Sequence, residues 1–356
     1  MSTRILVCCG AGGVGKTTLS AALGVRLALD GARTAVLTVD PARRLADSLG
    51  VGALDGRPRP VPGLPGPGTL DALVLDPKAT FDALVTRFSP DPARTRLILS
   101  NRYYGYVSTR LGGTWEYMAV ERVLELAEDG SWDAIVLDTP PERHAIEFLT
   151  APDRVLRVLD RRILKRLALP GTWRGFSARD GQGRQATGVL GRLLGSGTMR
   201  EIAAFVSAFE GLTGAFADRA RLGRDLLRAP GTGFFLVTTP SPERVDEAAA
   251  FRAALSDLGL PFRGYLANRC TEAPAGGDPP GPDPDPPPGF PPDGWTALLE
   301  GVRGSHRWFA ELARGEASIL AGLGSDAPTW RIPDLDGEVT DVQALIRLAP
   351  SLAGAD

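Results

Sequence analysis

Near its N-terminus the chain reads Gly10-Ala11-Gly12-Gly13-Val14-Gly15-Lys16-Thr17. This satisfies G-x-x-x-x-G-K-[ST] at every fixed position. An apolar run, residues 4–9 (RILVCC), precedes it, and a helical pattern from about Lys16 to Ala28 follows. A buried strand, a glycine-rich turn and a helix in that order constrain the fold more than any other feature. The glycines let the backbone curl so that successive N–H groups face the β- and γ-phosphates of a nucleotide. Lys16 adds a point charge, the Thr17 hydroxyl can ligate Mg²⁺, and the helix N-terminus adds partial positive charge. Gly10, Gly12, Gly13, Val14, Gly15, Lys16, Thr17 and Thr18 are the expected nucleotide-binding residues.

A second strand pattern, residues 33–39, ends at Asp40, so the first two strands read as a parallel pair with a helical crossover. Further strand patterns fall at 70–76, 132–138, 234–239 and 263–268. Helical patterns fill 78–129, 142–229, 242–258 and 296–323, and a short segment, 329–349, closes the fold. This alternation predicts an α/β fold with a mainly parallel sheet flanked by helices. The length of 356 residues suits one large domain with insertions. The expected insertion is a helical subdomain covering approximately 90–130 and 142–229, with a Gly-rich break at 181–197. Residues 56–68 read as a loop, and the Pro, Gly and Asp run at 272–294 as a disordered or polyproline-like one.

Composition narrows the function classes. A net charge of −2 argues against a nucleic-acid partner held by bulk charge. Three cysteines, with Cys8 and Cys9 adjacent, make no disulfide framework and fit a reduced, cytoplasmic location. The N-terminal apolar stretch is too short for a signal peptide, and no later run approaches a membrane span. The 43 Gly and 30 Pro rise together with Ala and Arg, as codon bias in a GC-rich genome would produce. Only three of the 40 basic residues are lysines: Lys16, Lys78 and Lys165. One of the three stands where a compact ammonium must fit among phosphates.

Two acids end strands at the rim where parallel sheets bind ligands. Asp138, in Asp138-Thr139-Pro140-Pro141, is the expected partner of Thr17 in holding Mg²⁺. Asp40, in Asp40-Pro41-Ala42-Arg43-Arg44, is the candidate for orienting an attacking water, with a helix N-cap as its alternative role.

These pieces, in this order, resemble the ATPase family of the arsenite pump and the tail-anchored-protein targeting factor, most closely its actinobacterial ArsA-like branch. The resemblance rests on CCGAGGVGKTT at 8–18, LTVDPARRLADSLG at 37–50, DPKATFDALV at 76–85, NRYYGYVSTRLGGTWEYMAVERVLEL at 101–126 and LDTPPERHAIEFLTAPDRVLRVLD at 137–160. It implies a P-loop NTPase fold of the SIMIBI class and a nucleotide-driven homodimer, or a pair with a paralogous chain, facing across the phosphate loops. It makes the stretch from Asp40 a first switch and that from Asp138 to His144 a second. Asn268 matches the family's adenine-contacting Asn, and Ile332–Val339, with Pro333 and Leu335, the loop over adenine. Asn268-Arg269-Cys270-Thr271 lacks the Lys and Asp that guanine recognition needs, so ATP with Mg²⁺ is the expected ligand pair.

The sequence departs from the family in three ways. The family's phosphate loop carries a second Lys directly after the first Gly; here that position is Ala11. Hydrolysis is then expected to be slow, or another cation stabilises the developing charge in trans, with Arg43, Arg44 and Arg143 as candidates and a surface ion pair as the alternative role of each. There is no CxxC for a shared zinc and no group of separate cysteines for arsenite, so neither is expected. The targeting factors' Met-rich client groove has no counterpart among Met1, Met118 and Met199; residues 193–216 carry Leu, Ala and Phe instead. The functional expectation is an ATP-hydrolysing switch that shapes a helical surface for an unidentified protein client. The alternatives are the soluble ATPase subunit of an anion transporter and a weakly hydrolysing nucleotide-binding regulator. A positioning role on DNA or membrane lacks a basic patch or basic amphipathic tail.

Overall fold

The computed structural model describes residues 3–101, 104, 114–140, 142–159, 211–274, 285–335, 337 and 339–355. Eight strands form one sheet: β1 (Arg4–Gly10), β2 (Arg33–Thr38), β3 (Arg59–Pro60), β4 (Thr69–Val74), β5 (Ala134–Asp138), β6 (Thr232–Thr238), β7 (Phe262–Cys270) and β8 (Thr329–Pro333). Their order is β3-β4-β2-β5-β1-β6-β7-β8. All neighbours are parallel except β3 with β4. This is the mainly parallel α/β sheet that the strand–helix alternation predicts.

Burial on both faces explains why the central strands read as unbroken apolar runs. Along β1, Ile5, Val7 and Cys9 enter the apolar cluster on one face. Leu6 and Cys8 enter the cluster on the other. The first cluster is closed by α5 (Thr114–Asp129) and α9 (Pro242–Asp257), through residues such as Val123 and Phe251. The second is closed by α1 (Lys16–Leu29) and α11 (Val342–Leu348). The phosphate loop lies at the carboxyl end of β1, and β2 and β5 end beside it.

A third apolar cluster joins α3 (Pro77–Phe88), α4 (Pro92–Leu99), α5 and α8 (Thr213–Arg228) around Phe81, Ile98, Tyr117, Met118 and Phe216. Two of its helices start on the same device: Asp76 accepts from the Ala79 N–H and Asp91 from the Arg94 N–H, each with Pro at the next position. α6 (Glu142–Leu149) and α7 (Ala151–Leu159) follow β5. The two short helices α2 (Arg44–Leu49) and α11 bound the ligand rim, and α10 (Pro292–Leu320) is the longest among the described residues.

Several boundaries differ from the sequence reading. The stretch read as a loop at 56–68 contains β3, whose Arg59 and Pro60 pair antiparallel with Ala72 and Asp71. Trp132 and Asp133 precede β5 instead of opening it, because Asp133 is drawn to Arg33. α10 starts four residues earlier than its apolar pattern, with Pro292 in its first turn. The Gly-rich break at 181–197, most of the segment 193–216 and the centre of the 272–294 run lie outside the described residues. At the described end of 193–216, Leu212 and Phe216 are buried in the third cluster. Among the described residues no helix is long and apolar enough to cross a membrane.

Candidate functional site

The glycine loop takes its shape from positions that tolerate no side chain. Gly13 and Gly15 hold φ of 80° and 92°, in the left-handed region. A Cβ on Gly15 would also lie 2.1 Å from Asn268 Nδ2. Gly10 lies against β6, where a Cβ would meet the Val237 carbonyl oxygen at 2.3 Å. The loop then delivers Lys16 as the first residue of α1. Its ammonium donates to the carbonyls of Gly10 (3.0 Å) and Ala11 (2.7 Å). Burial lowers the Lys16 pKa, and the nearby Asp138 carboxylate opposes that shift. The Ala11 methyl is buried in the core, so this position brings no charge to the loop.

Asp138, at the end of β5, meets the start of α1 and the end of β2. Asp138 Oδ2 accepts from the Thr17 hydroxyl at 2.8 Å and from the Thr38 hydroxyl at 2.8 Å. Its other oxygen, Oδ1, is buried with no hydrogen-bond partner. Burial pushes the Asp138 carboxyl up to about 6, although both hydroxyl bonds act to lower it. A buried carboxylate with an unpaired oxygen and a hydroxyl beside it fits a hard divalent cation, which supplies the missing positive charge. Thr17 and Asp138 would therefore hold Mg²⁺, Asp138 directly or through water.

Thr38 is a residue that the sequence reading missed. Its role depends on register: β2 and β5 are parallel with Thr38 opposite Asp138. Nothing local to Thr38 signals it. Thr139 is fixed similarly, its hydroxyl donating to the Cys8 carbonyl at 2.8 Å.

Asp40 sits two residues beyond Thr38, and its N–H donates to the Thr38 hydroxyl at 3.2 Å. Its Oδ1 accepts from the Ala42 N–H at 2.9 Å, a turn ahead of α2 that leaves the helix itself without a side-chain cap. Its Oδ2 lies 3.5 Å from Arg44 Nη1. Arg43, at the helix N-cap, is exposed and lies outside the cleft wall, whereas Arg44 lines it. Arg143 is in α6, and its side chain lies outside the described residues.

These groups border one cleft of about 600 Å³, a size ordinary for a small-molecule site. Gly12, Gly13, Gly15, Lys16, Thr17 and Thr18 line one end. Asn268, Pro333 and Leu335 line the cleft too, Asn268 directly against the phosphate loop. Gly10 and Val14 stand behind the wall: the Val14 side chain is buried in the core. Its carbonyl accepts from Asn268 Nδ2 at 2.9 Å, which ties the end of β7 to the phosphate loop. Arg269, Asp47 and Ser48 also border the cleft and were not anticipated. Arg269 holds a left-handed φ of 57°, where β7 shifts register against β8.

A glycine loop, a helix-borne Lys–Thr pair and a strand-end acid facing them define a P-loop nucleotide-binding α/β protein. The chain belongs to the anion-transporting ATPase family, whose model matches residues 3–271. It is similar to a putative arsenical pump-driving ATPase of Chlorobaculum tepidum, 35% identical over 153 residues, which are 42% of this chain and 36% of the relative. The ATPase ARSA1 of Chlamydomonas reinhardtii is 30% identical over 293 residues, 75% of this chain and 35% of the relative. An ATPase ASNA1 homolog of Entamoeba dispar is 29% identical over 168 residues, 44% of this chain and 48% of the relative. The matches thus span between about a third and a half of these relatives' length.

Proposed function

We propose that this chain hydrolyses ATP with Mg²⁺ and works as a dimeric switch, two copies meeting across their phosphate loops. The switch would carry nucleotide state to a helical surface that serves a protein client. The observation that carries the hydrolytic part is the corner made by Lys16, Thr17, Thr38 and Asp138, with the unpartnered Asp138 oxygen buried beside the loop. In this reading the loop N–H groups and Lys16 hold the phosphates, and Thr17 and Asp138 would hold Mg²⁺, whose charge would offset theirs. Asp40 orients the water. The water oxygen bonds to the γ-phosphorus while the bond to the bridging oxygen breaks, its electron pair staying with ADP. The water proton leaves on the phosphate product or to solvent.

The name of the Chlorobaculum tepidum relative points to an arsenical pump and the family description to anion transport. Against a thiolate-bound metalloid stands the condition of the chain's cysteines. Cys8, Cys9 and Cys270 are buried, and burial pushes the thiols of Cys8 and Cys9 up to about 12.

Phosphate release measured over a range of protein concentrations tests the reading. Turnover per protomer should rise with concentration, as dimer catalysis requires, and Lys16→Ala should abolish it. Turnover independent of concentration would remove the dimer. No release from the unaltered protein with ATP and Mg²⁺ would remove hydrolysis.

A further inference from the structure

Helix α2 presents one face to the cleft. Arg44, Asp47 and Ser48, spaced three and four residues apart, line it together. Leu45 and Leu49, on the opposite face, are buried in the core and fix the rotation of the helix. That rotation separates two adjacent arginines: Arg44 lines the cleft and Arg43 does not.

Arg44 stands at the metal end of the cleft. It lies beside Asp40, whose N–H bonds Thr38, which in turn bonds Asp138. Asn268 and Pro333, which line the same cleft, come from β7 and β8 instead. Charge at the metal end is poorly balanced. Asp40 and Asp138 are both there, while Lys16 is held by the loop carbonyls and Ala11 contributes only a buried methyl. The Arg44 side chain is 71% exposed, and its ion-pair contact is with Asp40 at 3.5 Å, so it has room to move onto a phosphate. Its planar fork suits two oxygens of one phosphoryl group.

We propose that Arg44 contacts the terminal phosphate of ATP bound to its own chain and stabilises the charge that develops there during hydrolysis. Arg43 has no such part. The proposal rests on the ATPase reading above. Arg44 donates hydrogen bonds to terminal phosphoryl oxygens as the water–phosphorus bond forms and the bond to the ADP oxygen breaks. It neither gains nor loses a proton, because a guanidinium stays charged.

The test compares Arg44→Ala, Arg44→Lys and Arg43→Ala in the full chain. Phosphate release at saturating ATP and Mg²⁺ is measured, with calorimetric affinities for ATPγS and for ADP. Arg44→Ala should lower kcat about 100-fold. It should weaken ATPγS at least about tenfold while ADP stays within about threefold, since ADP lacks the phosphate that Arg44 meets. Arg44→Lys should fall between, and Arg43→Ala should stay within about threefold throughout.

Two results would overturn the proposal. One is an Arg44→Ala kcat within about threefold of the unaltered chain. The other is a lost kcat with the ATPγS-to-ADP ratio unmoved, which would make Arg44 a positioning residue for Asp40. If the unaltered chain binds ATPγS but releases no phosphate, hydrolysis fails as a reading, and the affinity ratio still decides Arg44.

Discussion

Asp138 carries a cost that the proposed Mg²⁺ would offset. A carboxyl with one oxygen buried and unpaired is expensive to ionise, which is why its pKa is raised to about 6. An unfolded Asp titrates near 3.9. Between these values the folded chain holds a proton that the unfolded chain has lost, so this group makes stability rise as pH falls across that window. Above about pH 6 the folded chain bears the full cost of the buried charge. Asp138→Asn keeps the shape and removes the charge. Without Mg²⁺ it should be more stable than the unaltered protein at pH 8 by about 1–3 kcal/mol. At pH 4 that advantage should vanish. Urea unfolding at the two pH values checks this, and equal stabilities at pH 8 would contradict it. At the residue scale, the sequence exposed Asp138 because an acid ends an apolar run. It hid Thr38, because the hydroxyl reaches Asp138 only through the pairing of two strands about 100 residues apart.

Elements were legible where periodicity is long and opaque where a contact made elsewhere decides. The central strands and α1 declare themselves by apolar runs, whereas β3 is two residues of Arg and Pro that pair only because β4 lies beside them. The joining of α3, α5 and α8 is a similar case. Arg219 on α8 donates to Glu121 Oε1 on α5 from Nε (2.8 Å) and Nη2 (2.6 Å), and also pairs with Glu128. Glu128 in turn meets Arg87 on α3 at 3.1 Å. Both Arg219 and Glu121 are buried, and burial pushes the Glu121 carboxyl up while Arg219 holds it down. Removing one partner strands a buried charge; removing both does not. Arg219→Met should therefore cost about 3–5 kcal/mol, and adding Glu121→Leu should recover most of it. Denaturant unfolding of the single and double variants measures the difference. If the double variant is as unstable as Arg219→Met, packing and not charge holds these helices together.

Across the whole molecule, the cleft is assembled from segments spread along the chain: the loop and start of α1, α2, the end of β5, the end of β7, and residues 333–335, 337, 339 and 340. The hydrogen bond from Asn268 to Val14 joins positions 254 residues apart. A ligand that fills this cleft therefore ties N-terminal and C-terminal parts of the sheet to each other. The cluster around Phe81, Tyr117 and Phe216 lies on other helices and contributes nothing to the cleft wall. Binding to the folded state alone stabilises it by about 2.7 kcal/mol when ligand is at 100 times its Kd. The way that stabilisation spreads is what the architecture predicts. With saturating ADP and Mg²⁺, amide hydrogen exchange should slow together in the phosphate loop, α2, the end of β7 and residues 334, 335, 337, 339 and 340. With ADP, which lacks the terminal phosphate that would drive the proposed switch, exchange in α3, α4 and α8 should change little, because sub-global opening of that cluster does not release the ligand. Protection confined to the phosphate loop would mean that Asn268 and the C-terminal segment do not enclose the base. Equal slowing everywhere would mean that the helical cluster and the sheet open as one unit.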